Sequence, residues 1–254
     1  MLMAERHQKI IELVNRQMSV RVSELSRLFS VTEETIRRDL EKLEKDGRLQ
    51  RSHGGAVSLQ QESREVEFSQ REITSVHEKK AIAYQAVSLI EPGDRIILDA
   101  SSTAWYVAKA IPDMPLTVIT NSIQVAIELS KKEHVQVISL GGNLLPASLS
   151  YAGPLAERSL KHYHVNKLFL SCQGVHLESG LSDSHELQAL LKRRMMEAAD
   201  MTILMADSSK FGVRTFAHIA PIHKVQRIIT DDGLQPHVRQ ELQERGLQVT
   251  MAGV

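Results

Sequence analysis

Several things are scarce in this chain of 254 residues, and each scarcity excludes something. A single cysteine, Cys172, leaves no internal disulfide framework to build. Five Phe, four Tyr and one Trp are too few for the stacking platforms on which single-strand nucleic-acid binders rely. No apolar run approaches the roughly 18 residues of a membrane span. Glu5, Arg6, Lys9 and Glu12 break up the stretch where a signal peptide would be apolar. Net charge is missing too, with 31 Lys and Arg against 31 Asp and Glu. The expectation is a reduced, cytoplasmic, globular chain with no membrane partner and no resident cofactor. At roughly 100–200 residues per domain, its length suggests two domains.

The first sixty residues carry 11 Lys and Arg against nine acids, a tilt too small to decide anything. Their pattern says more. Met3, Ile10, Ile11 and Val14 recur at helical spacing. Ser19–Val22 is a short β-prone patch before a second helix carrying Leu25, Leu28 and Phe29, which Ser30-Val31 breaks. Thr32 then reads as an N-cap, with Glu33 and Glu34 in the first turn, where the helix dipole favours acids. Ile36, Leu40 and Leu43 line one face of this third helix, and Gly47 ends it. Two short helices, a tight turn and a third helix spell a helix-turn-helix.

A 100° step per residue puts Glu34, Arg38, Glu41 and Lys45 opposite Ile36. Recognition helices present their N-terminal turns to base edges, so Thr32, Glu34, Thr35 and Arg38 are candidate base contacts. Arg37 and Lys42 are placed for phosphates. Leu49-Gln50-Arg51 and Ala56-Val57-Ser58 flank Ser52-His53-Gly54-Gly55 as a two-strand wing, adding Arg51 and His53 to the DNA candidates. A solvated helical module with surface arginines is the plainer reading of the same pattern.

The run Val31–Leu40, containing Thr35-Ile36-Arg37-Arg38-Asp39-Leu40, with Leu43–Gly47 and His53-Gly54-Gly55-Ala56 after it, resembles the DNA-binding signature of the DeoR/GlpR family of bacterial sugar-metabolism regulators. The resemblance implies a winged helix-turn-helix that binds a double-stranded DNA operator.

From Ser58 to about Lys80 the chain is polar and lacks Pro and Gly, a connector that is part helix with Val66 and Phe68 as its anchors. The reading is therefore residues 1–58 as the DNA-binding domain, 59–80 as linker and 81–254 as a second domain. In that second domain, strand candidates at 95–98, 116–119, 135–140, 168–170, 201–205, 225–229 and 247–251 alternate with amphipathic helices. This predicts the α/β class, a mostly parallel sheet covered on both faces. The strand ends read Asp99-Ala100-Ser101-Ser102-Thr103, Thr120-Asn121-Ser122, Gly141-Gly142-Asn143, Ser171-Cys172-Gln173-Gly174, Asp207-Ser208-Ser209-Lys210 and Thr230-Asp231-Asp232-Gly233. In open α/β sheets ligands sit beyond the carboxyl ends of strands, so these tips are expected to converge on one pocket. Ser101, Ser102 and Thr103, between a strand and a helix start, suit a phosphate. Lys192 and Lys210 add positive charge, and Asp99, Asp183 and Glu186 can accept bonds from sugar hydroxyls. An ordinary helix cap explains the Ser/Thr cluster equally well, and Asp207-Ser208-Ser209 reads also as a plain turn. His162 and His164 straddle a Tyr without carboxylate or Cys partners at ligand spacing, so no metal site is expected.

These tips are similar to the effector domain of the same family, which resembles ribose-5-phosphate isomerase in fold. The resemblance implies a phosphorylated sugar effector lined by Asp99, Ser101, Ser102, Thr103, Asn121, Gly142, Asp183, Lys192 and Lys210. Many relatives have Gly-Thr-Thr at Ser101-Ser102-Thr103 and an Asp at Gln173, so Gln173 replaces a charge at the site. The stretch Asp99–Asp113 looks closest to the fucose-operon activator subgroup. The resulting expectation is a regulator of a carbohydrate operon, repressor or activator, working as a homo-oligomer (dimer or tetramer) on a symmetric operator. An isomerase-like enzyme using Asp183, Glu186 and Lys192 is the alternative, and a ligand-free interaction module a third.

Overall fold

The computed structural model describes residues 3–17, 19–52, 55–57 and 66–253. Contacts divide the chain into two units, Met1–Arg64 and Glu65–Val254.

In the smaller unit, α1 (Met3–Gln17) leads into β1 (Ser19–Arg21), α2 (Val22–Phe29) and α3 (Glu33–Lys45). Strands β2 (Gln50–Ser52) and β3 (Gly55–Val57) pair antiparallel, and β1 adds to the other edge of β3. Ile10, Val14, Leu25, Ile36, Leu40, Leu43, Leu49 and Ala56 form one buried cluster. Two residues expected on apolar faces lie outside it: Leu28 and Met3 are exposed, because α2 buries only the stripe of Val22 and Leu25 and Met3 sits at the first turn of α1. Ser30 turns the chain at a φ of 53°, with the Ser26 hydroxyl donating to Val31 O at 2.7 Å. Thr32 caps α3, its hydroxyl accepting from Thr35 N. Gly47 closes the helix at a φ of 64°, a left-handed conformation natural for glycine.

The larger unit is built on seven parallel strands: β4 (Arg95–Leu98), β5 (Leu116–Thr120), β6 (Val135–Ser139), β9 (Val165–Leu170), β12 (Ala199–Met205), β14 (Arg227–Asp231) and β15 (Gln248–Ala252). Their order across the sheet is β15-β14-β12-β9-β4-β5-β6. Side chains alternate between the two faces. Ile96, Leu98, Phe169, Ile203 and Met205 pack with α5 (Val76–Val87), α6 (Ser102–Ala110) and α7 (Ile123–Leu129). Ile97, Leu168, Leu170 and Leu204 pack with α8 (Pro154–Leu160), α9 (Glu186–Glu197) and α10 (Pro236–Glu244). Burial on both faces makes the inner strands apolar toward their carboxyl ends, whereas the edge strands β6 and β15 are partly exposed and interleave Gln, Ser and Thr.

The sheet reverses direction of growth between β4 and β9. After β4 the chain extends the sheet outward through β5 and β6, then returns to place β9 on the other side of β4. Such a switch point opens a crevice at the carboxyl ends of its two strands, between Asp99 and Ser171.

Three features depart from expectation. The hairpin of β7 (Asn143–Leu145) with β8 (Ser150–Ala152) was not anticipated, nor was the antiparallel sheet of β10 (Gly174–His176), β11 (Gly180–Asp183) and β13 (Ala217–Ala220). The chain from 66 to 80, read as linker, packs into the larger unit: α4 (Phe68–Glu72) buries Phe68, whose N donates to Ala147 O at 2.7 Å, and α5 already starts at Val76. One buried aromatic and its hydrogen bonds are enough to fasten a segment whose remaining side chains are polar.

Candidate functional site

The outer face of α3 is a row of exposed charges already bonded to one another. Arg37 bonds Glu33 at 2.9 Å and approaches Glu34 at 3.9 Å; Arg38 meets Glu34 at 3.4 Å; Lys45 bonds Glu41 at 2.9 Å. Lys42 is exposed with no carboxylate partner among the described residues. Thr32 and Thr35 share a hydroxyl–hydroxyl bond of 2.9 Å at the amino end. Glu44 Oε1 accepts from Arg51 N at 2.7 Å, so a carboxylate of the helix ties it to the wing strand β2. His53 lies outside the described residues. Behind this face, Asp39 turns inward from α3 to bond Arg6 Nε at 2.6 Å and His7 Nε2 at 2.9 Å on α1. Burial opposes the charged carboxyl, but the Arg6 and His7 bonds outweigh it and hold Asp39 below the usual carboxylate range.

In the larger unit a cavity of about 170 Å³ lies at the switch point. Ser101, Ser102, Thr103, Gln173, Lys192 and Lys210 line it, six of the ten effector candidates. Ser101 is fully engaged: its hydroxyl donates to Asp99 Oδ1 at 2.6 Å and accepts from Ala104 N at 3.0 Å, the N-cap bond of α6. Ser102 and Thr103 follow as the first residues of that helix, where N–H groups have no acceptor within the helix. Their hydroxyls have no partner among the described residues. Two residues with N–H groups free of helix acceptors, and with hydroxyls, thus line the cavity at the positive end of α6.

Lys192 reaches the cavity from α9 between two carboxylates, Asp183 at 2.6 Å and Asp99 at 3.4 Å, and donates to Ser171 O at 2.9 Å. Burial disfavours its charge, yet Asp183 and Asp99 more than compensate and keep the ammonium protonated. Asp99 and Asp183 thus stand behind Lys192 and do not line the cavity themselves. Asp99 also accepts from Ser171 N at 3.0 Å, so one buried carboxylate joins the tips of β4 and β9 to α9. Lys210 extends to Gln173 Oε1 at 3.4 Å. Cys172 lies at the wall, its thiol donating to Gly174 O, and burial pushes it up to about 12, too high for a nucleophile.

Asn121 and Gly142 are not at the cavity. Asn121 Nδ2 donates to Tyr151 O at 2.8 Å and meets Gln188, which bonds Ser148 and Ser150; the residue fastens the β7–β8 hairpin. Gly142 has a φ of 117°, and a Cβ there would meet Ala152 O at 2.8 Å, so its role is to let two backbones approach. Glu186 is exposed at the start of α9 and does not line the cavity. His162 and His164 are exposed, His164 bonding Asp200 at 2.7 Å, and the described residues contain no cluster able to hold a metal.

Comparison with known proteins settles the family. The chain matches the DeoR-like helix-turn-helix domain over residues 6–62 and the DeoR C terminal sensor domain over residues 74–232. This protein belongs to the DeoR family. It is 64% identical over 250 residues to the uncharacterized HTH-type transcriptional regulator YulB of Bacillus subtilis (strain 168), covering 98% of this chain and 97% of that one. It is 36% identical over 246 residues to the L-fucose operon activator of Haemophilus influenzae, covering 97% and 99%. Its structure is similar to ribose 5-phosphate isomerase A of Methanocaldococcus jannaschii at 17% identity and a TM-score of 0.39, over 52% of this chain and 53% of that one. The relatives in sequence are transcriptional regulators, and this DeoR-family chain is a DNA-binding regulator of that type. Among its described residues no helix is long and apolar enough to cross a membrane.

Sequence reasoning missed part of the DeoR-family cavity. Val66, Arg71, Thr74, Ser75 and Lys79 form one wall, all from the stretch read as linker, and Asp207 and Ser209 form another. The Asp207–Lys210 tip was visible as a polar strand end. Val66 and Phe68 were legible as anchors, but nothing marked Arg71, Thr74, Ser75 and Lys79 as a wall, because their approach depends on Phe68 docking beside Trp105, with ring centroids 5.8 Å apart. Lys79 is buried and donates to the carbonyls of Arg71 and Thr74, the latter at 2.6 Å. Burial, with Lys210 and Arg71 adding to it against Asp207, lowers it to about 8.

Proposed function

We propose that this regulator senses a phosphorylated sugar in its C-terminal domain, and that the bound effector changes its affinity for the operator of a carbohydrate catabolic operon. The observation that carries this reading is the junction of the Ser102 and Thr103 N–H and hydroxyl groups with Lys79, Lys192, Lys210 and Arg71 around one cavity. That arrangement suits a dianion. Gln173, Asp207 and Ser209 offer both donors and acceptors to hydroxyls on the other side. The effector acts only through a difference in affinity between two arrangements of an oligomer, a dimer or tetramer matched to a symmetric operator. Residues 1–58 carry the DNA-reading function, with Thr32, Glu34, Thr35 and Arg38 toward bases and Arg37, Lys42, Arg51 and His53 toward the backbone. The protein works in the cytoplasm.

Catalysis is the less suitable reading of the same residues. Asp183 and Lys192 are consumed in a buried ion pair, and Glu186 is away from the cavity.

The test is fluorescence anisotropy on DNA from upstream of the protein's own gene cluster, titrated with sugar phosphates beside the matching free sugars. One phosphate is expected to change the affinity while its free sugar does not. Ser102→Ala combined with Lys210→Ala is expected to blunt that response and leave DNA binding intact. DNA binding indifferent to every phosphate would overturn the sensor reading, and turnover of an aldose phosphate read by NMR would restore the enzymatic one.

A further inference from the structure

Helix α3 is a DNA-reading helix that brings no net positive charge. It holds four cations (Arg37, Arg38, Lys42 and Lys45) against five carboxylates (Glu33, Glu34, Asp39, Glu41 and Glu44). Two of those carboxylates have structural duties, Asp39 to Arg6 and His7 inside and Glu44 to the wing backbone. Glu33 and Glu34 have none of that kind: both are exposed in the first turn, and their side chains bond the guanidinium groups of Arg37 and Arg38. The first turn is also the part of a recognition helix that comes nearest the bases.

Sequence-independent DNA binding is chiefly the attraction of cations to phosphates. An arginine paired with a neighbouring glutamate must give up that bond to reach a phosphate, and it carries a carboxylate into the negative field of the duplex as it does so. Base edges change the balance. Guanine offers N7 and O6 to an arginine, and cytosine offers its N4 amino group to a glutamate, so at a suitable step both partners of the pair are rebonded. A phosphate can rebond only the arginine.

We propose that Glu33 and Glu34 are specificity-determining residues: they hold Arg37 and Arg38 off the phosphates of unrelated DNA, Arg38 is released only to base edges that bond both it and Glu34, and Arg37 reaches a phosphate only once that pairing has seated α3. The proposal rests on α3 being the reading helix. Lys42, without a carboxylate partner among the described residues, supplies the phosphate contact on unrelated DNA that the paired arginines withhold there. At the amino end of α3 the acids also favour the helix dipole, so the test must read discrimination and not stability.

The experiment uses the full chain and two duplexes of equal length, one of random sequence and one recovered by repeated selection with the protein itself. Affinities are measured by anisotropy across a salt series for the wild type, Glu33→Gln with Glu34→Gln, and a control of equal charge change on α1, Glu5→Gln with Glu12→Gln. The expected result is a gain of about tenfold for the random duplex in the α3 variant, fading as salt is raised. The gain on the selected duplex should be at least threefold smaller, and the control should change neither by more than about twofold. An affinity for the random duplex that stays level, or gains no more than the control, overturns the proposal, as does an equal gain on both duplexes. Arg38→Ala runs alongside: loss of preference for the selected duplex identifies α3 as the reading helix, so a failure of that reading is distinguished from a failure of this one.

Discussion

Asp39 occupies a position in α3 where the spacing of Ile36, Leu40 and Leu43 asks for an apolar residue, and it is buried there as a carboxylate. Its partners are 33 and 32 residues away in sequence, which is why helical periodicity alone did not assign it a role. Because its folded pKa is depressed, its contribution to stability is full above the unfolded value of about 3.9 and is lost as pH falls through the folded value. Thermal melts of the DNA-binding unit should therefore weaken steeply on acidification below about pH 4. Asp39→Asn should flatten that dependence while costing about 2 kcal/mol at neutral pH, by depriving the half-buried Arg6 of its charged partner. Lys79 supplies the opposite sign in the larger unit. Two of its protons go to the carbonyls of Arg71 and Thr74, and only the charged form has a third to offer an anion. With its value near 8, affinity for a sugar phosphate should be highest on the acid side of 8 and fall as pH rises through it. Phosphate monoesters are already dianionic from about pH 6.5, so between 7 and 9.5 the slope belongs to the protein. Calorimetric titration checks this, and Lys79→Met should remove the slope.

At the scale of elements, legibility tracked whether a segment is long enough to show a pattern of apolar residues. The seven parallel strands announced themselves as apolar runs, and Thr32 and Gly47 bracketed α3 correctly, because capping is decided by a few local residues. The three-residue strands β7, β8 and β10 have no period to read, and α4 is held by Phe68 against Trp105, a contact between distant parts of the chain. The same division predicts two unlike glycine substitutions. Gly47→Ala meets open space and bears only the cost of its backbone conformation, about 1 kcal/mol. Gly142→Ala adds a collision with Ala152 O to that cost, so it should destabilise by more and displace the β7–β8 hairpin. Denaturant titrations of the two variants give the comparison directly; equal losses would contradict the assigned roles.

Across the whole molecule, the two units have separate hydrophobic clusters, one of α1–α3 with the wing and two on opposite faces of the large sheet. Leu40→Ala, at a fully buried position of the smaller cluster, should cost about 2–5 kcal/mol there. DNA binding should fail at a lower temperature while phosphate binding is unchanged, and calorimetry should show one transition moving and the other staying. The domain order and the position of the cavity beyond the strand ends were readable from the alternation of polar tips with apolar runs. That 66–79 forms a cavity wall was not, since it follows from where the chain enters the larger unit. Cys172 stands in the cavity wall. The only sulfhydryl in 254 residues is buried, protonated at neutral pH and bonded to a carbonyl. A maleimide dye added to the native protein will find nothing to attack, so a cysteine placed at an exposed site such as Gln8 becomes the one addressable point for a fluorophore or spin label.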